Sequence, residues 1–153
     1  MTRRTHQRGA IVLEMGIVGA VFIMLILGVM DFSRIYYCQS TLKYAVSQGA
    51  RFATTGGALE DGNEELLTRE ESIIYMIRKL AGFSDFVDED IDITAVTSGG
   101  STVAGPGGPG DVVTVRAEYR VDVLSPYLYH FFTDGRYTFE AVTSFRNEEF
   151  PAA

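Results

Sequence analysis

Apolar side chains run almost unbroken from Ala10 to Met30, AIVLEMGIVGAVFIMLILGVM, and Glu14 is the one ionisable residue among them. About twenty such residues at about 1.5 Å each cover roughly 30 Å of hydrocarbon, so the pattern predicts a membrane-spanning helix over 10–30. No helix breaker follows until Gly56-Gly57. Beyond Met30 the run gives way to a single stripe at spacings of three and four, Ile35, Cys38, Leu42, Val46, Gly49 and Ala53, with Arg34, Gln39, Lys43, Ser47 and Arg51 on other faces. The helix therefore continues outside the membrane to about residue 54, with one face to bury.

The period changes after that. Residues 58–63 read as a polar loop. Thr68-Arg69-Glu70-Glu71 is a capping box ahead of Ile73, Ile74, Ile77 and Leu80, which predicts a second helix from Glu64 or Arg69 to Leu80, stopped by Gly82. Period two then takes over in Ile91–Val96 and, more clearly, in Asp111–Leu124, where Val113, Val115, Ala117, Tyr119, Val121 and Val123 share a face. Between them SGGSTVAGPGGPG, 98–110, reads as a flexible loop with nothing to pack. Ser125-Pro126 ends the long strand, Tyr127–Phe132 reads as strand or loop, Asp134-Gly135 as a turn, and Arg136–Arg146 alternates again. The fold expected is α+β: a long N-terminal transmembrane helix continuing into a small external domain with a second helix and a three- to four-stranded antiparallel sheet. Its divisions are a basic stretch at 1–9, the span at 10–30, the external helix at 31–55 and a globular part at 56–153.

Charge adds an orientation. Arg3, Arg4 and Arg8 precede the span without an acidic partner, and flanking Lys/Arg stay on the cytoplasmic side. Residues 1–9 are read as disordered. The apolar run is longer than that of a removable secretory signal, and no A-x-A-like site follows Met30, so the span is read as retained. The formal net charge of −7, from 13 basic and 20 acidic residues, would fall to −10 on loss of the three N-terminal arginines. That balance argues against nucleic acid as a partner. Cys38 is the sole cysteine, so no internal disulfide framework exists. Within the span Gly16 and Ala20, four apart, let helix backbones approach closely. Glu14 has two readings: a carboxylate near the headgroups that reaches water, or one with a partner inside the membrane.

Arg8-Gly9 followed by Ala10-Ile11-Val12-Leu13-Glu14 resembles the class III signal of type IV prepilins, with Gly9 before the cut and Glu14 fifth in the mature chain. Together with Gly28-Val29-Met30-Asp31-Phe32-Ser33-Arg34 and Ala45–Arg51, AVSQGAR, it makes residues 8–54 similar to the TadE-like proteins of tight-adherence (Tad/Flp) pilus systems. Met15 stands where that family usually has an aromatic residue, and the acidic and Gly/Pro-rich middle matches no motif. The resemblance implies a minor pilin or pseudopilin of the bacterial inner membrane. Its N-terminus would be cytoplasmic and its C-terminal domain periplasmic or, in a pilus, extracellular. Its partners would be a prepilin peptidase, other pilin or pseudopilin subunits, the inner-membrane assembly platform and the lipid bilayer. Cleavage between Gly9 and Ala10 would create an amine one helical turn from Glu14, which the carboxylate would pair with to set subunit register. The alternative is an uncleaved single-span protein that scaffolds a secretion or pilus-assembly complex through its periplasmic domain.

No reactive constellation emerges, so neither an enzyme nor a cofactor is expected. His6 and His130 lack partners at motif spacing, Cys38 has no second thiol, and no nucleophile-elbow sequence surrounds a serine. The acidic cluster including Asp85, Asp88 and Asp90 is the weak metal candidate. It lacks EF-hand spacing and the turn glycine, which favours a solvated loop.

Overall fold

A computed structural model describes residues 3–59 and 66–149, with side chains from Gly9 onward. Its elements are helix α1 (Arg3–Thr54), helix α2 (Arg69–Ala81), strands β1 (Ile91–Val96), β2 (Thr102–Ala104) and β3 (Val112–Asp122), the short helix α3 (Pro126–Tyr129) and strand β4 (Arg136–Arg146). The sheet is antiparallel in the order β2-β1-β3-β4, so the class is α+β, and among the described residues one helix is long and apolar enough to cross a membrane. The expected loop at 58–63 reaches into residues outside those described. The alternative start of α2 at Glu64 and the side chains of Arg3, Arg4, His6 and Arg8 also lie outside them.

The chain divides into two compact units, Met1–Tyr36 with Val121–Tyr137, and Tyr37–Arg120 with Thr138–Ala153. In the second unit the stripe of α1 does what its spacing requires. Cys38, Leu42, Val46, Gly49 and Ala53 are buried while Lys43 and Arg51 are exposed. Ile73 and Ile77 of α2, Ile93 and Ala95 of β1, Val113, Val115 and Ala117 of β3 and Phe139 and Ala141 of β4 complete the buried set. Phe86 is also buried, edge-on to Tyr119, which stacks on Phe83 at 4.3 Å between centroids. Such ring pairs add to area burial.

The capping box of α2 forms as its sequence predicts. The Glu71 N–H donates to the Thr68 hydroxyl at 3.2 Å, and the Thr68 N–H and hydroxyl donate to the Glu71 carboxylate at 2.8 and 2.7 Å. The hydroxyl, then the N–H, holds the Glu71 carboxyl below the usual glutamate range. Its contribution is therefore present above the unfolded value and fades as pH falls through the folded one. Replacing Thr68 with Ala should lower protection of the first α2 amides by about 1 kcal/mol, read by hydrogen exchange. Gly82, at φ 64, ends the helix in the left-handed region, where its N–H donates to the Arg78 carbonyl.

Three expectations are corrected. The backbone of 3–9, read as disordered, belongs to α1: propagation from a long apolar helix costs far less than nucleation, and nothing there breaks it. The stretch 98–110 is not an unpacked loop. It supplies β2, whose Thr102–Ala104 pair with Thr94–Val96, and its carbonyls are held by side chains. Asn147 Nδ2 donates to those of Pro106 and Gly108 at 2.9 and 2.8 Å, and the Arg69 guanidinium to those of Gly107 and Ala53 at 2.6 Å each. Burial lowers the pKa of Arg69 and the nearby Asp111 charge opposes the shift; the guanidinium sits on the Ala53 carbonyl in the last turn of α1, where the helix dipole favours a cation. Tyr127–Phe132 is neither strand nor simple loop, because Pro126 at the first helical position starts the turn of α3.

Candidate functional site

The first unit holds the segment with the most unusual surface. Between Ile11 and Met30 nearly every large apolar side chain of α1 is exposed, from Ile11 and Leu13 through Phe22 and Leu25 to Val29 and Met30. A continuous apolar face of this extent is not maintained against water. Lipid or other helices must cover it. Gly9, Ala10 and Glu14 are exposed on this helix. Ala10 and Glu14 are four residues apart and so lie one above the other on one face. A Cβ built on Gly16 or Gly19 would meet nothing within 4 Å, and Ala20 is exposed. These small positions are therefore open, and among the described residues nothing packs against Gly16 or Gly19.

Where the apolar run ends, the first unit contains a polar clasp that sequence reasoning did not single out. Asp31 is 2% exposed. Its carboxylate accepts the Leu124 and Ser125 N–H groups, both at 2.9 Å, and the Ser125 hydroxyl. Burial opposes ionisation of Asp31. The Ser125 hydroxyl, the two N–H groups and the charge of Arg34 outweigh it and hold the carboxyl below the usual aspartate range. Arg34 itself donates to the Asp122 carbonyl at 3.2 Å. About two turns earlier on α1, the Tyr127 hydroxyl donates to the Met24 carbonyl. Gly28 makes room for that ring, since a Cβ there would stand 2.7 Å from the Tyr127 oxygen. The signal available in the sequence was an aspartate directly after an apolar run, with a glycine three residues before it. Its partners stand about ninety residues away, and no local pattern names them.

The structure does not gather the remaining candidates into a site. Asp88 pairs with Arg78 at 2.9 Å, Asp85 accepts from the Ser84 hydroxyl and Asp90 from the Val87 N–H. Among the described residues no group of three or more His, Cys, Asp or Glu side chains is placed to hold a metal ion. His130 is exposed beside the Tyr129 ring, and Cys38 is buried.

Residues 9–51 match the family model described as TadE-like protein. No curated protein and no solved structure matches the chain. The matched stretch contains Glu14, the open glycines, Gly28, Asp31 and the buried stripe of α1 as far as Gly49.

Proposed function

With residues 9–51 those of a TadE-like protein of the Tad system, we propose that the chain is a minor pilin or pseudopilin, inserted in the inner membrane with residues 1–9 cytoplasmic and cleaved after Gly9 by a prepilin peptidase. The observation that carries this reading is that Ala10 and Glu14 stand one turn apart on an exposed face of α1, with Gly16 and Ala20 also exposed, about a third of the way round the helix from them. Cleavage would turn the Ala10 nitrogen into a cation. A carboxylate in hydrocarbon is costly alone, and an amine from the same or a neighbouring subunit offsets that cost. Small residues let the neighbouring helix come close enough to bring the two together. Moving such a helix from lipid into a filament exchanges one apolar environment for another, so little hydrophobic energy opposes assembly. The chain is a structural subunit in this reading, with other Tad pilus components and the assembly platform as partners, and it performs no catalysis.

Two measurements test it. The intact mass of the protein extracted from cells building pili should lack residues 1–9; a retained leader in such cells would replace this reading with that of an uncleaved scaffold. Replacing Glu14 with Ala should leave membrane insertion unchanged and remove the protein from sheared pilus fractions, and normal incorporation of that variant would refute the pairing.

A further inference from the structure

The clasp brings a second part of the chain to the membrane. From Val123 to Thr133, VLSPYLYHFFT, there is no Asp, Glu, Lys or Arg, and five of the eleven residues are aromatic counting Tyr127, Tyr129, Phe131 and Phe132 with the imidazole of His130. Their exposure is inverted relative to a water-soluble turn. Phe131 is 80% exposed, Leu124 55% and Tyr129 49%, while the polar Ser125 is buried on Asp31. The position of the segment follows from its contacts within the first unit. The Tyr127 hydroxyl reaches the Met24 carbonyl, and its ring lies over Gly28. Met24 stands six residues before Met30, the last residue of the apolar run, which is about 9 Å along the helix. An interfacial segment sits about 5–10 Å into the headgroup and acyl boundary. If 10–30 spans hydrocarbon, this turn is already at that depth.

We propose that residues 124–132 form a lipid-interface segment, docked on the phospholipid leaflet from which α1 emerges at Met30. Tyr127 and Leu128 close one side of an apolar groove of about 460 Å³ against Val21, Leu25, Val29 and Phe32 of α1, and acyl chains of that leaflet fill it. Phe131 and Tyr129 lie among the headgroups, where amphipathic and aromatic rings are favoured. Beside the segment Asp122 pairs with Arg136 at 2.8 Å, Arg34 donates to the Asp122 carbonyl, and Asp134 is exposed. Leaflet contact at two places, span and turn, would fix the depth and rotation of α1. The clasp at Asp31 transmits that constraint between them. The proposal concerns the chain in a bilayer before any assembly and goes beyond the pilin reading.

The chain contains no tryptophan, so a single introduced one is an unambiguous reporter. Phe131→Trp and, separately, Leu124→Trp would be made in the full chain and placed in phosphatidylcholine nanodiscs at one copy per disc. Emission blue-shifted from that of a tryptophan amide in water, loss of most intensity with lipids brominated just below the headgroup, and weaker quenching by lipids brominated near the chain ends are the expected result. Water-like emission quenched by iodide would overturn the proposal. Blue-shifted emission indifferent to brominated lipid would also overturn it, since protein rather than lipid would then cover the ring. Neither readout depends on cleavage after Gly9, so the pilin reading and this one can fail separately.

Discussion

Replacing Asp31 with Ala is expected to release the segment around Leu124 and Ser125 from α1, at a cost of about 3 kcal/mol. Three donors lose one acceptor at once: the Leu124 N–H, the Ser125 N–H and the Ser125 hydroxyl. Each bond to a carboxylate contributes about 1.5–3 kcal/mol, and donors that share one acceptor do not add in full. Hydrogen exchange on the full chain in nanodiscs should show the Leu124 and Ser125 amides losing roughly a hundredfold in protection, because about 1.4 kcal/mol corresponds to a factor of ten. Amides of α2 should not change. The Asn variant keeps one acceptor and should lose less. Unaltered protection at 124 and 125 in the Ala variant would show that the clasp does not hold the turn.

The same carboxylate sets a pH dependence whose sign is fixed. Its folded pKa lies below the ordinary value of 3.8. Stability from the clasp is therefore complete above that value and is lost as pH falls through the folded pKa. Exchange at Leu124 should quicken on acidification in the wild type beyond the intrinsic pH trend. In the Ala variant it should follow that trend alone.

The second large effect belongs to Gly49. It is buried in α1, and a Cβ there would run into the Ile77 side chain and stand 3.7 Å from the Ile73 carbonyl oxygen. A glycine in a helix interior costs about 1 kcal/mol relative to alanine in helix propensity, so at an open position alanine would be the better residue. Here the space decides. Gly49→Leu should destabilise the second unit by about 3 kcal/mol, the upper end of ordinary overpacking. Thermal unfolding of the detergent-extracted chain gives the direction, and α2 amide exchange gives the size. Pairing Gly49→Ala with Ile77→Ala should cost less than the two single changes together, because the second removes what the first collides with. Strict additivity would mean that α1 and α2 do not meet at this point.

Much of the molecule was legible in the sequence because the signals were local. A twenty-residue apolar run can only be a span or a buried helix, and the stripe Cys38, Leu42, Val46, Gly49, Ala53 names its own buried face. The capping box at Thr68 and Gly82 bound α2. Period two in Val113 to Val123 and in Tyr137 to Thr143 assigns the strands and their inner faces. Glu14 and the small residues of the span are visible by contrast with their neighbours.

What tertiary structure alone decided were contacts between residues far apart in the chain. The glycine-rich 98–110 looked unpacked because it has few side chains to bury. Its backbone is its binding surface, and Asn147 and Arg69 hold it through carbonyls that no side-chain pattern records. In the sequence Asp31 is one member of the stretch Gly28–Arg34, and only the fold puts the amides of Leu124 and Ser125 on its carboxylate. Sequence periodicity reports which face of an element is apolar. It carries no information on which distant backbone group will satisfy a charge, and that choice is made by the chain path.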